Sequence, residues 1–388
     1  MMNKSHIDLN GKTILVTGSP GFIGANLVIR LLQSLTSGTV ISLDNMNNYY
    51  DPKLKEYRLG LIEEVAKSSA VKHIFIRGSI ADKELVDSIF TTYNPDIVVN
   101  LAAQAGVRYS IDHPDVYIES NIIGFYNILE ACRHSYDNGN AGVQHLVYAS
   151  SSSVYGGNKK VPFSVDDKVD NPVSLYAATK KSNELLAHSY SKLYNIPSTG
   201  LRFFTVIGKG PSRPDMAMMG FADKLVHGKT IKIFNYGNMK RDFTDVDDIV
   251  EGVYRVMQGA PEKKVGEDGL PIPPYAVYNI GGGKPENLLE FVNILQEELV
   301  RAGVLPADYN FEAHRELCPM QPGDVPITYA DSEALEKDYG FRPQIPLRDI
   351  LRGYCEWHYQ YYGPAKEEDL NTVANATTDD GGKQGNEK

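Results

Sequence analysis

Tyr176 and Lys180 stand four residues apart, so on a helix they share one face. A phenol with an ordinary pKa near ~10 is a poor base at neutral pH. A lysine ammonium one turn away favours the phenolate and brings it into a useful range. Ser174 can cap such a helix and Pro172 marks the approach to it. Four consecutive serines, Ser150 to Ser153, follow the apolar run 144–149, and a hydroxyl at that strand end can share the reacting proton. Tyr-x-x-x-Lys alone also occurs as decoration on exposed helices. What sets this pair apart is that it follows a strand ending in four serines, in a chain whose second motif can hold a redox cofactor.

That motif is Gly18-Ser-Pro-Gly21-Phe-Ile-Gly24. It follows a β-branched run at 13–17 and precedes a helical apolar pattern at 25–33, so strand, tight turn and helix start are all present. Glycines in such a turn let the backbone approach a pyrophosphate whose charge the helix N-terminus stabilises. The spacing is Gly-x-x-Gly-x-x-Gly rather than Gly-x-Gly-x-x-Gly. A second strand, 39–43, ends at Asp44, where a carboxylate accepts hydrogen bonds from an adenosine ribose. No arginine follows Asp44, which predicts NAD rather than NADP.

The elements that must position these groups alternate. β-rich runs at 73–77, 96–101, 144–150, 198–206 and 276–280 join the first two, with helical patterns at 83–90, 117–134 and 175–193. This predicts an α/β fold: a Rossmann-like, doubly wound parallel sheet with ligands outside the carboxyl ends of its strands. From about 207 the texture changes to Gly-, Pro- and Met-rich loops with helices near 288–302 and 347–361. The expected division is a dinucleotide lobe over 10–206 with a return at 243–283, and a smaller α/β substrate lobe over 207–242 and 284–362. The polar stretch 366–388 reads as a disordered tail.

The chain has 388 residues and a formal charge of −10, which argues for two lobes and against a nucleic-acid partner. An anionic substrate must then be met by a few local arginines and lysines. Cys132, Cys318 and Cys355 are odd in number and far apart, the pattern of reduced thiols in a cytoplasmic protein without metal-ligand spacing. Neither a signal peptide nor a membrane helix is expected, since no apolar run approaches ~18 residues.

With these motifs in hand, the chain resembles the extended short-chain dehydrogenases/reductases, and within them the UDP-glucuronate 4-epimerases. The residues carrying the resemblance are Gly18–Gly24, the segments 101–110, 148–156, 172–181 and 201–205, Arg213-Pro-Asp-Met216, Arg241-Asp-Phe-Thr244 and Met320-Gln-Pro-Gly-Asp324, and it spans about 10–362. It implies Tyr176 as base, Lys180 as its partner and Ser151 as the hydroxyl completing the set. Gly18, Gly21, Phe22, Ile23, Gly24, Asp44, Asn45, Ser79, Ile80, Leu101, Ala102, Ala103, Gln104 and Asn121 would line the NAD site. Arg108, Ser152, Ser153, Thr205, Arg213, Arg241, Gln321 and Asp324 would meet the UDP-sugar, with Arg241 at the diphosphate and Asp324 at the uridine ribose.

The implied reaction removes the C4 hydroxyl proton and the C4 hydride, then returns hydride to the opposite face of a 4-keto sugar. Short donors such as Ser152, Ser153 and Thr205 would hold a uronate carboxylate out of line with the ketone and so prevent loss of CO₂. The readings ranked behind this one are a UDP-glucose/UDP-galactose (or N-acetyl) 4-epimerase and then a UDP-glucuronate decarboxylase. A homodimer is also implied, through helices 120–134 and 175–193, with Phe125 and Leu186 among the apolar residues outside the core stripe. Three positions depart from the family pattern. Ser79 stands for an Asp that reaches adenine, Ile207 for a Tyr near the substrate, and Asp245 for an aromatic residue.

Overall fold

The computed structural model describes residues 4–320 and 326–370. Its central element is a seven-stranded sheet. The strands are β1 (Thr13–Thr17), β2 (Thr39–Asp44), β3 (Lys72–Arg77), β4 (Ile97–Asn100), β5 (His145–Ser151), β6 (Ser198–Phe203) and β7 (Tyr275–Ile280). Their spatial order is β7-β6-β5-β4-β1-β2-β3, and every pairing is parallel. The nine longest helices described are α1 (Phe22–Ser34), α2 (Pro52–Ala66), α3 (Lys83–Tyr93), α4 (Gly124–His134), α5 (Leu175–Tyr194), α6 (Ala217–Val226), α7 (Val246–Met257), α8 (Leu288–Arg301) and α9 (Leu347–Tyr362).

Continuous β-branched runs such as Ile14 to Val16 and Ile97 to Val99 are fully buried, because this sheet is covered on both faces. One face packs on α1, α2 and α7, the other on α3, α4 and α5. The sheet reverses direction of growth between β1 and β4, so the ligand-binding switch point lies at their carboxyl ends. That is where the glycine turn, Asp44 and the serine run emerge.

The chain divides into two compact units: Met1–Val206, Asp242–Pro285 and Thr328–Ile345 form the first, and Ile207–Arg241, Glu286–Ile327 and Pro346–Lys388 the second. The segment 328–345, expected in the substrate lobe, thus belongs with the sheet. Long-range bonds place it there: Tyr278 donates to Asp338 at 2.7 Å, the Tyr339 hydroxyl to the Gly259 carbonyl at 2.8 Å, and Phe163 bridges to Ala330. In the second unit α8 carries Glu298, a buried carboxylate that receives Arg348 of α9 at 3.2 Å.

Three further expectations change. The run 198–206 is two strands, since Thr205–Ile207 is separate from β6. The helix expected over 117–134 begins with a π-helical turn, Ile118–Ile123. The start of the expected tail is ordered: Glu367–Leu370 is a short helix, and its Leu370 carbonyl oxygen lies 2.8 Å from where a Cβ on Gly228 would stand. Residues 371–388 lie outside the described residues. Phe125 is buried, and Leu186 is half-buried and packs against the same core. Phe125 cannot supply the dimer surface expected of it.

Candidate active site

The glycine turn closes only because its residues lack side chains. Gly18 has φ +71°, and a Cβ there would lie 2.7 Å from the Ala102 amide nitrogen. On Gly21 and Gly24 a Cβ would lie 2.8 and 2.1 Å from the Gly18 carbonyl oxygen. Helix α1 then starts at Phe22 with Gly21 as N-cap, no side-chain cap and no acid in its first turn. Its positive end is therefore left for an anion. Ser19 Oγ is buried in the same turn without a partner. This cradle fits a dinucleotide pyrophosphate. The side chains of Phe22 and Ile23 pack into the core beneath it, so only their main chain can take part.

Asp44 ends β2, and its Oδ1 accepts from the Met46 amide at 2.7 Å and from Lys55 Nζ at 3.4 Å. Both bonds fall on one carboxylate oxygen. Lys55 also donates to Asn47 at 2.9 Å. Burial pulls its ammonium down, and Asp44 opposes the shift. Arg58, one turn further along α2, donates to the Pro20 carbonyl at 3.1 Å and to Tyr50 at 2.7 Å. Sequence reading missed both cations, although Lys55 and Arg58 at i, i+3 after Asp44 were a visible signal. Asn45 is exposed and accepts from the Asn47 amide at 3.1 Å. Ser79 accepts from the Ala81 amide at 3.1 Å in a local turn. Ile80 packs on Gly124.

On the other side of the switch point, Thr17 Oγ1 donates to Asn100 at 2.7 Å and accepts from the Ala102 amide at 3.1 Å. This fixes the exit of β4 and the run Leu101, Ala102, Ala103, Gln104. Asn121 then clamps the run, accepting from the Gln104 amide at 2.8 Å and donating to its carbonyl at 3.0 Å and to Thr179 Oγ1 at 3.0 Å. The π-helical turn is what rotates Asn121 inward; an extra residue per turn is a common device at functional sites.

Tyr176 and Lys180 lie on the first two turns of α5, capped as expected by Ser174, which accepts from the Ala177 amide at 3.1 Å. The Tyr176 amide is 3.4 Å from Ser110 Oγ, and its ring meets Tyr117 edge-on at 6.1 Å. Lys180 is buried and donates to the Ala149 carbonyl at 2.9 Å, which ties the helix to the end of β5. Burial draws its ammonium down to about 8. Ser151 is the last residue of β5, and its Oγ accepts from the Ser153 amide at 3.1 Å. Ser152 and Ser153 are half-buried in the helical turn that follows. The three candidate catalytic groups thus come from one strand end and the helix packed on it.

Behind them lies a pair that sequence reading missed. Glu184, two turns beyond Tyr176, accepts from Arg202 Nε at 2.8 Å and Nη2 at 2.9 Å, and from Ser150 Oγ at 2.7 Å. Burial pushes the Glu184 carboxyl up, but Arg202 and Ser150 outweigh it and hold it below its usual range. Arg202 also donates to the Tyr155 hydroxyl at 3.0 Å. An arginine inside an apolar strand must be paired, so Leu201-Arg-Phe-Phe was itself a readable signal.

Of the candidate substrate residues, Thr205 is half-buried on its short strand and Arg108 is exposed in the turn before Tyr109–Asp112; both belong to the first unit. Arg213 and Arg241 belong to the second. Arg213 donates to Asp215 at 3.1 Å, and Arg241 to the carbonyls of Lys240 at 3.0 Å and Pro326 at 3.4 Å. Gln321 and Asp324 lie outside the described residues. Two of the departures find physical roles. Ile207 is buried, and Asp245 is the N-cap of α7, accepting from the Asp247 amide at 2.7 Å.

A parallel doubly wound sheet with a glycine turn at its switch point and a Tyr-x-x-x-Lys helix beside a serine-bearing strand end defines a dinucleotide-dependent enzyme of the α/β class. The model of the NAD dependent epimerase/dehydratase family matches residues 14–281, and the chain belongs to that family. Protein CapI of Staphylococcus aureus is 45% identical over 355 residues, covering 90% of this chain and 99% of that one. A probable UDP-glucuronate 4-epimerase of Rhizobium meliloti is 38% identical, over 90% of this chain and 97% of that one. The crystal structure of the UDP-glucuronic acid 4-epimerase from Bacillus cereus, in complex with UDP-glucuronic acid and NAD, superposes with a TM-score of 0.74 at 29% identity, covering 90% of this chain and 100% of that one. The cofactor is NAD.

Proposed function

We propose that this protein interconverts UDP-glucuronate and UDP-galacturonate by inversion at C4. The observation that carries the reading is the buried Lys180, pinned to the Ala149 carbonyl with Tyr176 one turn before it and Ser151 at the end of the same strand. Tyr176 is the base that takes the C4 hydroxyl proton, and Lys180, still charged at neutral pH, favours its phenolate. Ser151 shares that proton and orients the sugar oxygen. Bound NAD supplies a hydride acceptor and donor at C4. Gly18, Gly21 and Gly24 receive its pyrophosphate, Asp44 its adenosine ribose, and Asn121 holds the Gln104 loop beside it.

The uronate part of the proposal makes a further demand. A carboxylate β to a ketone loses CO₂ when its bond to C5 aligns with the carbonyl π system. Ser152, Ser153 and Thr205 are short donors suited to holding it out of line, with Arg213 at the hexose and Arg241, Gln321 and Asp324 toward the nucleotide. Arg213→Ala is expected to slow epimerisation roughly tenfold to a hundredfold, the loss of one charge-assisted bond. Some UDP-pentose or its 4-keto precursor should then accompany UDP-galacturonate. An Arg213→Ala enzyme as fast and as clean as wild type would remove Arg213 from the site. The proposal as a whole is tested by offering UDP-glucuronate and UDP-glucose separately and resolving the products by NMR; conversion of UDP-glucose alone would make the neutral hexose the substrate.

The proposal includes a homodimer. The residues that support it are not the buried Phe125 but exposed apolar side chains of the segments 120–134 and 175–193, Ile123 and Tyr126 on one and Leu185, 58% exposed, on the other. Exposed apolar groups of this size are candidates for an interface. Sedimentation at micromolar concentration should give a dimer, and Ile123→Glu a monomer; a wild-type monomer would exclude this assembly. A cytoplasmic location is proposed from Cys132, Cys318 and Cys355, all buried and free. Among the described residues no helix is long and apolar enough to cross a membrane.

A further inference from the structure

β1 lies between β2 and β4, so the carboxyl ends of those two strands stand about 9–10 Å apart across the glycine turn. The loops that leave them do not diverge. Tyr49, in the loop after β2, meets Tyr109, beyond the loop after β4, with ring centroids 4.7 Å apart and planes inclined at 60°.

Both limbs are held. Tyr109 stacks on His113 at 4.0 Å and touches Tyr117, whose hydroxyl donates to the carbonyls of Ala105 at 2.9 Å and Gly106 at 2.5 Å. On the other side Tyr49 touches Tyr50, and Tyr50 is bonded through Arg58 to Pro20 of the glycine turn. Met46, at φ +53°, bends this limb and bonds back to Asp44. The glycine turn in turn packs against Ala102. The contacts close a circuit around the switch point, and the join opposite the glycine turn is one ring against another.

We propose that Tyr49 and Tyr109 form a clasp across the dinucleotide site, opening to admit or release NAD and otherwise retaining it. A site that takes hydride and returns it within one turnover is served by such a device, since a reduced cofactor that left early would strand the ketone. The proposal rests on the family's NAD dependence and not on which sugar reacts.

The test uses the protein loaded with NADH and chased with excess NAD⁺, with cofactor fluorescence giving the release rate; mixing NADH with cofactor-stripped protein gives the binding rate. Tyr49→Leu, Tyr109→Leu and the double variant should each release and bind NADH roughly twofold to tenfold faster than wild type, the scale of one aromatic pair. The double should be no faster than the faster single. Tyr109→Phe, which keeps the ring, should match wild type. Should a leucine variant fail to fold, His113→Ala, at an exposed position, removes only the stacking partner of Tyr109 and should move both rates the same way. Wild-type rates in the variants that fold would overturn the clasp. So would faster release without faster binding, the mark of an ordinary contact, or a Tyr109→Phe variant that behaves like Tyr109→Leu.

Discussion

Tyr176→Phe is expected to lower turnover ~10²–10⁴-fold, the range for loss of a positioned general base, while the protein stays folded and keeps its NAD. The physical reason is that the packing of the ring and the backbone bonds that place it do not need the hydroxyl. The edge contact with Tyr117 at 6.1 Å is made by the ring, and the bonds to Ser110 and Thr179 are made by the Tyr176 backbone. Lys180 keeps its bond to Ala149. The hydroxyl is removed and the ring stays, so KM and the thermal midpoint should move little while kcat collapses. The check is steady-state kinetics together with the nucleotide content of the denatured protein. A variant with near-normal kcat would end the assignment of Tyr176 as base.

Glu184→Ala is expected to cost about 3–5 kcal/mol of stability, because it leaves the Arg202 guanidinium buried without its carboxylate. Glu184 receives four bonds: from Arg202 Nε, Arg202 Nη2 and Ser150 Oγ, whose residues are buried, and from the half-buried Lys181 at 3.3 Å. The intact pair is not itself a large source of stability, since desolvating two charges offsets most of their attraction. Glu184→Leu combined with Arg202→Met should therefore recover most of the loss, which a denaturation midpoint will show.

The pH dependence has a definite sign. The folded Glu184 carboxyl is held below its ordinary value of 4.5, so the pair's contribution is fully present above that pH and fades as pH falls through the folded value. The stability gap between wild type and Glu184→Ala should narrow on going from pH 7 to below pH 4. A gap that widened in acid would mean that Glu184 is not held as a carboxylate.

What could be read from the sequence was local. Gly18, Gly21 and Gly24 with Asp44, and Tyr176 with Lys180, are spaced by a turn or a helix period, so their geometry follows from the chain around them. Asn121 needed a π-helical turn, which no apolar period announces. Glu184 and Arg202 are 18 residues apart and meet only because β6 lies beside β5, so on α5 Glu184 looks like any solvated residue. The side of α4 that faces outward was misjudged at Phe125, which lies in the core. The segment 328–345 joins the sheet unit through Asp338 and Tyr339, whose partners lie 60 and 80 residues away. Asp245 was legible in principle: an acid followed by Val-Asp-Asp at a helix start is a capping signal.

The central claim is that hydrogen leaves C4 of UDP-glucuronate and returns to the same carbon from the opposite face without meeting solvent. UDP-glucuronate carrying deuterium at C4 should be incubated with the protein in ordinary water and the products resolved by NMR. UDP-galacturonate that retains the deuterium at C4 is the predicted result. UDP-galacturonate with hydrogen at C4, a pentose as the main product, or no conversion at all would contradict the account.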